Sequence, residues 1–430
     1  MMRHAPLSVL YWFRRRPYKP GGDMVALRAT VDALRAFDVR ATISDDPHIA
    51  LDSYDIAHLY NLCDPYSATD YALRALRAHK PLVVTPLYWS HAQYLETYQH
   101  ATPAQYPEFF LDAPTEDAQA RLRATRKREA ELLRDAQQLV LSIAAKILIL
   151  SRGEGELLLK EFGAPREKMQ LTFYGVDAKY ANGDAARFEQ EFGVRGFVFS
   201  AARFQHRKNQ IGLIRAWREE NIPLVLAGPI SEPAYWELCK REASANVHFV
   251  GALTPAQIAD AGAAARVHVM ASWWEEVGLA ALEAGLAGCN LVMTQNGPAR
   301  EYFGDDVVLC DPARPDSIRA AIQIALEHPR TTQLAEKIRA QFTWERSAQA
   351  TREAYDEILA QRHEPNIHWD ALQQLAIRMA ENYDELEREN SKLQQGKRDL
   401  ETWALEMQAR LQQPPSLRAA LRGAVKKSNG

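Results

Sequence analysis

Four charged side chains in the second half of the chain stand at spacings that chemistry can use. Arg203 and Lys208 are five positions apart, and Glu275 and Glu283 eight apart. Two cations across a short loop can clamp a diphosphate, the arginine by bidentate bonding and the lysine as a point charge. A carboxylate only accepts hydrogen bonds and can take two hydroxyl protons at once. Glu275 and Glu276 lie in a turn that opens through Gly278 onto a helical pattern, Leu279, Leu282 and Leu286. A helix start attracts phosphate through its free N–H groups and its dipole. A phosphate site flanked by carboxylates suits a ligand with both phosphate and vicinal diols, such as a sugar nucleotide. Spacing alone leaves a plainer reading open. In it, Arg203 and Lys208 are ordinary cations of a surface turn, the paired glutamates only favour the helix dipole, and Glu283 is a surface residue.

The elements that would position these groups can be read next. The short, partly β-branched run 265–271 suits a buried strand, Gly288 stops the helix, and 290–294 reads as a second strand before the polar turn 295–298. Strand, helix, strand is a βαβ unit, so the sheet is expected to be parallel, with ligands at the carboxyl ends of its strands. Further strands are expected at 197–201 and 223–227, with helices at 210–217, 316–326 and 345–359. In the first half, strands are expected at 7–13, 56–60, 82–85 and 147–150, and helices at 24–37 and 116–138. Gly21-Gly22 after the first strand lets backbone approach a ligand closely.

The pattern Glu275-x7-Glu283 inside EEVGLAALEAGLAG resembles the signature of the retaining GT-B glycosyltransferases of family 4. The resemblance implies an α/β fold, GT-B, with two Rossmann-like domains built on parallel sheets. It implies that Glu275 lies by the donor sugar, Glu283 holds the ribose, and Arg203 and Lys208 hold the diphosphate at the Gly278–Leu279 helix start. Backbone near Val250 and Gly251, in a loop expected over 246–251, would read the base. Gly22 would belong to a loop closing over the diphosphate, and His91 or His58 would contact the donor sugar. The sequence departs from the family at Glu276, Val277 and Ala202, where glycine, an aromatic residue and glycine are usual. The implied reaction moves a sugar from a UDP- or GDP-sugar to a glycan or lipid-linked acceptor, with no metal and no cofactor, in bacterial surface polysaccharide synthesis.

Composition is consistent with this. The 430 residues are 47% hydrophobic with a formal charge of -3, enough for two cores and a poor match to nucleic-acid binding. Cys63, Cys239, Cys289 and Cys310 are widely spaced, which fits a reducing compartment without a zinc site. No apolar run reaches membrane-spanning length. Arg14, Arg15 and Arg16 follow the apolar residues 7–13 rather than precede them, the reverse of a secretory signal. The chain is therefore expected in the cytoplasm, or peripherally at the inner face of the membrane. The basic residues of helix 116–138 fit a solvated face or a patch for anionic headgroups.

The expected organisation is an acceptor domain, 1–178, a linker at 178–194, a donor domain, 195–342, and a crossover helix, 343–361. Leu372, Met379, Leu386, Leu393, Leu400 and Met407 recur every seven residues, so an α-helical coiled coil over 366–413 and a homo-oligomer are expected. The basic tail 414–430 can lie on an anionic membrane or remain a solvated end. Two rival functions share these residues: a GT-B sugar-nucleotide epimerase, and a degenerate transferase serving as a coiled-coil scaffold.

Overall fold

The computed structural model describes residues 6–14, 21–90, 96–97, 99–111 and 113–360. His91, the heptad segment 366–413 and the tail 414–430 lie outside them. Two six-stranded sheets form the frame, and every strand pairing in both is parallel. The first contains β1 (Leu7–Trp12), β2 (Val39–Ser44), β3 (Ile56–Tyr60), β4 (Leu82–Thr85), β5 (Lys146–Ile149) and β6 (Met169–Leu171), in the order β2-β1-β3-β4-β5-β6. The second contains β7 (Val198–Ala201), β8 (Leu224–Ala227), β9 (Val247–Gly251), β10 (Val267–Met270), β11 (Asn290–Thr294) and β12 (Val307–Cys310), in the order β12-β11-β10-β7-β8-β9. In the second sheet the chain runs one way from β7 and the other way from β10. A crevice therefore opens at the carboxyl ends of those two neighbours.

Inner strands such as LVVT, KILI, LVLA and VHVM are buried along their whole length. Helices cover both faces of such sheets, so their strands read as near-continuous apolar runs. Four edge strands depart from expectation. β2, β6 and β12 give no clear signal in the sequence, and the loop expected at 246–251 is β9. Each is only partly buried: β6 has no fully buried residue, and β9 only Val247. The linker holds a helix, Ala185–Phe192, with Asp184 as its cap accepting from Ala186 N and Arg187 N. Gly183 before it admits no side chain, since a Cβ would sit 1.9 Å from Ala259 O. The charged helix runs Glu116–Ile143, beyond its expected end, and buries its last turns from Leu132 onward.

The final described helix, Trp344–Ala360, returns from the second domain to the first and packs on the helix Gly22–Leu34. Its Tyr355 is fully buried and donates to Tyr11 Oη at 2.7 Å. The same hydroxyl lies 2.6 Å from His58 Nδ1, while His58 Nε2 lies 2.8 Å from Thr85 Oγ1. Burial lowers the His58 pKa to about 3. His58 is thus a neutral core histidine and does not reach a donor sugar, a correction to its candidacy.

Candidate active site

The loop after β7 is tied down before it carries any function. Asn209 takes a left-handed conformation, φ 54°, and caps the helix Gln210–Trp217 by accepting from Gly212 N at 3.2 Å. Its Nδ2 donates to Ala271 O and Pro312 O, each at 2.9 Å. One buried side chain therefore ties the loop after β7 to the segments that follow β10 and β12. Arg207 Nη1 donates to Trp274 O at 2.8 Å, and Trp273 N donates to Arg207 O at 2.9 Å. Lys208 Nζ then meets Glu275 Oε2 at 2.5 Å, and Ser272 Oγ donates to the same oxygen at 2.9 Å.

The electrostatics of this pair are those of a buried site. Burial and the neighbouring Arg207 charge pull the Lys208 pKa down to about 8, against the pull of Glu275. Burial alone would raise the Glu275 carboxyl, but Lys208 and Arg207 outweigh it and hold it below its usual range. Arg203, partly buried, feels the charges of Asp23, Arg207, Arg14 and Glu275. Gly278, at φ 76°, starts the helix Leu279–Leu286 with no side-chain cap. A Cβ there would lie 2.8 Å from Met270 Sδ, so glycine is required by both conformation and space. The structure brings Arg203, Lys208, Glu275 and Gly278 to one crevice at the β7 and β10 ends.

One turn into that helix, Glu283 hydrogen-bonds Tyr180, and burial raises its pKa to about 7. It lines a cavity of about 350 Å³ with Val25, Val176, Lys179, Tyr180 and Leu279. Val250 and Gly251 end β9, two strands from β7, where Gly251 takes φ 74° and its carbonyl accepts from Gly228 N at 2.7 Å.

The first domain closes the crevice. A Cβ on Gly21 would lie 3.1 Å from Arg203 Nη2, and one on Gly22 3.6 Å from Leu279 Cδ1. Behind them Asp23 Oδ2 pairs with Arg14 at 2.7 Å and accepts from Asn61 Nδ2 at 3.0 Å, and Arg14 Nη1 reaches Cys63 Sγ at 3.0 Å. This network was missed in the sequence. Its one signal is position, since Arg14, Asn61 and Cys63 all follow the carboxyl ends of β1 and β3. A second contact was also missed. Tyr106 packs edge-on and Phe109 tilted against Trp273 of the second domain, at ring separations of 5.2 and 5.3 Å. Leu111 packs onto the second domain's core, and buried Glu108 lies 3.6 Å from Arg215.

Glu276 faces the other way from Glu275. It accepts from Ser151 Oγ of the first domain at 3.2 Å, beside buried Glu154. Burial first, then the Glu154 charge, holds the Glu276 pKa well above the usual carboxylate range. Glu154 accepts from Tyr88 N and Leu150 N, each at 2.7 Å, yet burial raises it to about 7. Among the described residues no group of three or more His, Cys, Asp or Glu is placed to hold a metal ion. Nor is any helix among them long and apolar enough to cross a membrane.

Two parallel-sheet domains meeting over a nucleotide-type crevice define the GT-B fold. The sucrose-phosphate synthase of Thermosynechococcus elongatus superposes with a TM-score of 0.63 at 18% identity, covering 82% of this chain and 99% of that one. HepE of Anabaena in complex with UDP superposes at 0.60 and 18% identity, covering 82% and 100%. Residues 184–342, the second domain, match the sequence model of the glycosyl transferases group 1 family. The O-antigen chain mannosyltransferase B of Escherichia coli is 25% identical over 239 residues, 51% of this chain and 61% of that protein. The match thus spans less than two thirds of that relative's length.

Proposed function

We propose that the protein is a retaining, metal-independent glycosyltransferase that moves a sugar from a UDP- or GDP-sugar to a glycan or lipid-linked acceptor in surface polysaccharide assembly. The observation that carries this reading is the Lys208–Glu275 pair, set with Arg203 at the start of the Gly278 helix. Fixed donors in a site shielded from water stabilise developing charge without reorganising. Arg203, Lys208 and the helix N–H groups bind the departing diphosphate. Glu275 orients the donor sugar, with His91 as a further contact, and Glu283 holds the ribose diol. Backbone at Val250 and Gly251 meets the base, and the Gly22 loop covers the diphosphate. The acceptor hydroxyl oxygen bonds to the anomeric carbon as the bond to the diphosphate breaks, and its proton passes to a diphosphate oxygen.

The named relatives support the substrate class: one is a mannosyltransferase of an O-antigen chain, and another is complexed with UDP. In this reading residues 1–178 carry the acceptor, 195–342 the donor, and 343–361 the crossover. The segment 366–413 pairs copies of the chain. Thermal-shift titration with a panel of nucleoside diphosphates and sugar nucleotides tests it. A ligand at a hundred times its Kd adds about 2.7 kcal/mol to stability, so one base and one sugar should stand out. A panel in which none raises Tm overturns the reading.

A further inference from the structure

The first four N–H groups of a helix have no partner inside it. In the first-domain helix Arg152–Phe162, Ser151 Oγ accepts the N–H of Glu154 at 2.9 Å. The two N–H groups before that one are taken by the second domain. Glu301 Oε2 accepts from Arg152 N at 2.7 Å, and Oε1 from Gly153 N at 2.6 Å. A charged acceptor at a helix start gains from both the ionic character of the bonds and the dipole. The fit is close on both sides, since a Cβ on Gly153 would lie 3.0 Å from Glu301 Oε1. The next residue extends the grip: Tyr302, fully buried, donates to Leu150 O at 2.7 Å and accepts from Tyr174 N at 3.0 Å.

The other end of the same loop holds Glu275. Asn296 O accepts from Glu275 N at 3.2 Å, and Asn296 Nδ2 donates to Trp273 O at 2.9 Å. Gly297 sits so close behind that a Cβ would fall 2.0 Å from Glu275 O. A single loop therefore fixes the backbone of Glu275 at one end and the first domain at the other. We propose that Glu301 is a positioning residue, which sets the first domain, and with it the acceptor, against the donor crevice. This rests on the transferase reading above. Glu301 touches neither Lys208 nor Arg203, so it acts through the placement of the domains.

The test uses the full chain with Glu301→Gln and Glu301→Ala, and Gly153→Ala to crowd the same contact from the other side. Four quantities are measured: the Kd for UDP and GDP, kcat with donor and acceptor, Tm, and the radius of gyration by X-ray scattering. Nucleoside diphosphate affinity should stay within about twofold, because its binding groups, apart from the Gly22 loop, lie in the second domain. Loss of one charge-assisted contact corresponds to about tenfold or more in kcat, with Gln milder than Ala. The radius of gyration should rise for Glu301→Ala. A kcat within twofold of the parent overturns the proposal, as does a loss of kcat, affinity and Tm together. If the parent binds no nucleoside diphosphate, the transferase reading falls on that result. The scattering then still judges the contact, since identical curves for the parent and Glu301→Ala remove the domain-setting role itself.

Discussion

Lys208 Nζ and Glu275 Oε2 stand 2.5 Å apart with side chains only 11% and 9% exposed. A buried ion pair contributes little net stability, because desolvation offsets the attraction. In the transferase reading, the pair holds a cation ready for a stronger anion. A diphosphate entering the crevice would share Lys208 and leave Glu275 for hydroxyl groups.

Lys208→Ala and Arg203→Ala should each lower transfer by about 10- to 100-fold, the worth of one charge-assisted bond made in the transition state. Lys208→Ala also strands a buried carboxylate, so its Tm should fall more than that of Arg203→Ala. Steady-state kinetics and calorimetric melting check both, and two variants within twofold of the parent in rate would exclude the clamp.

Glu283→Gln should act mainly on nucleotide affinity, since a ribose contact is made equally in ground and transition states. Glu275→Gln should act mainly on kcat. If Glu276→Gln slows turnover and Glu275→Gln does not, the roles of the two neighbours are exchanged.

The pH profile of kcat/KM reports groups of the free enzyme. Glu283, raised to about 7 by burial, must lose its proton to accept two ribose hydroxyls. Lys208, lowered to about 8, must keep its own. A narrow bell is expected, with its acid limb near 7 and its alkaline limb near 8. Lys208→Arg should carry the alkaline limb upward, and an unmoved limb would remove Lys208 from the assignment.

The interface carboxyls make a separate prediction about stability. Burial raises Glu154 from 4.5 to about 7 on folding, and burial with the neighbouring Glu154 charge raises Glu276 well above its ordinary value. A raised carboxyl pKa means the folded state binds more protons, so its contribution is present below 4.5 and is lost as pH rises through 7. Tm should therefore decline from pH 5 to pH 8. Glu276→Gln, which removes the charge facing Glu154, should flatten that decline. A parent melting curve that rises over the same range would contradict it.

Metal independence is checked by adding excess EDTA to a transfer assay. Activity should persist, and loss restored by magnesium or manganese would mean that the two cations are not the main counter-charge.

The grouping of the candidate crevice was legible in the sequence because its parts are local. Arg203 and Lys208 share one loop, Glu275 to Glu283 share one turn and helix, and β10 and β11 beside them are mostly apolar and buried. The sheet edges were not legible. β2, VRATIS, faces partner strands on one side only and leaves Arg40 exposed, so its apolar signal is diluted. β6 is three residues long, and its Gln170 bonds to Ala350 O of the returning helix. The direction of Glu276 could not be read either. A departure from a motif shows that a neighbour differs, whereas its partners here, Ser151 and Glu154, lie more than a hundred residues away in sequence.

The aromatic stretch around Phe109 belongs to one half of the chain by sequence and to the other by packing. Trp273 is covered by Tyr106 and Phe109, and Leu111 reaches the core beneath it. Each ring pair adds about 0.5–1.5 kcal/mol beyond its buried area. Any separation of the two halves would have to break these ring contacts or draw this stretch away from the half it belongs to in sequence. A second half produced alone from residue 195 would lose this cover and present Trp273 to water, an apolar wound beside the crevice.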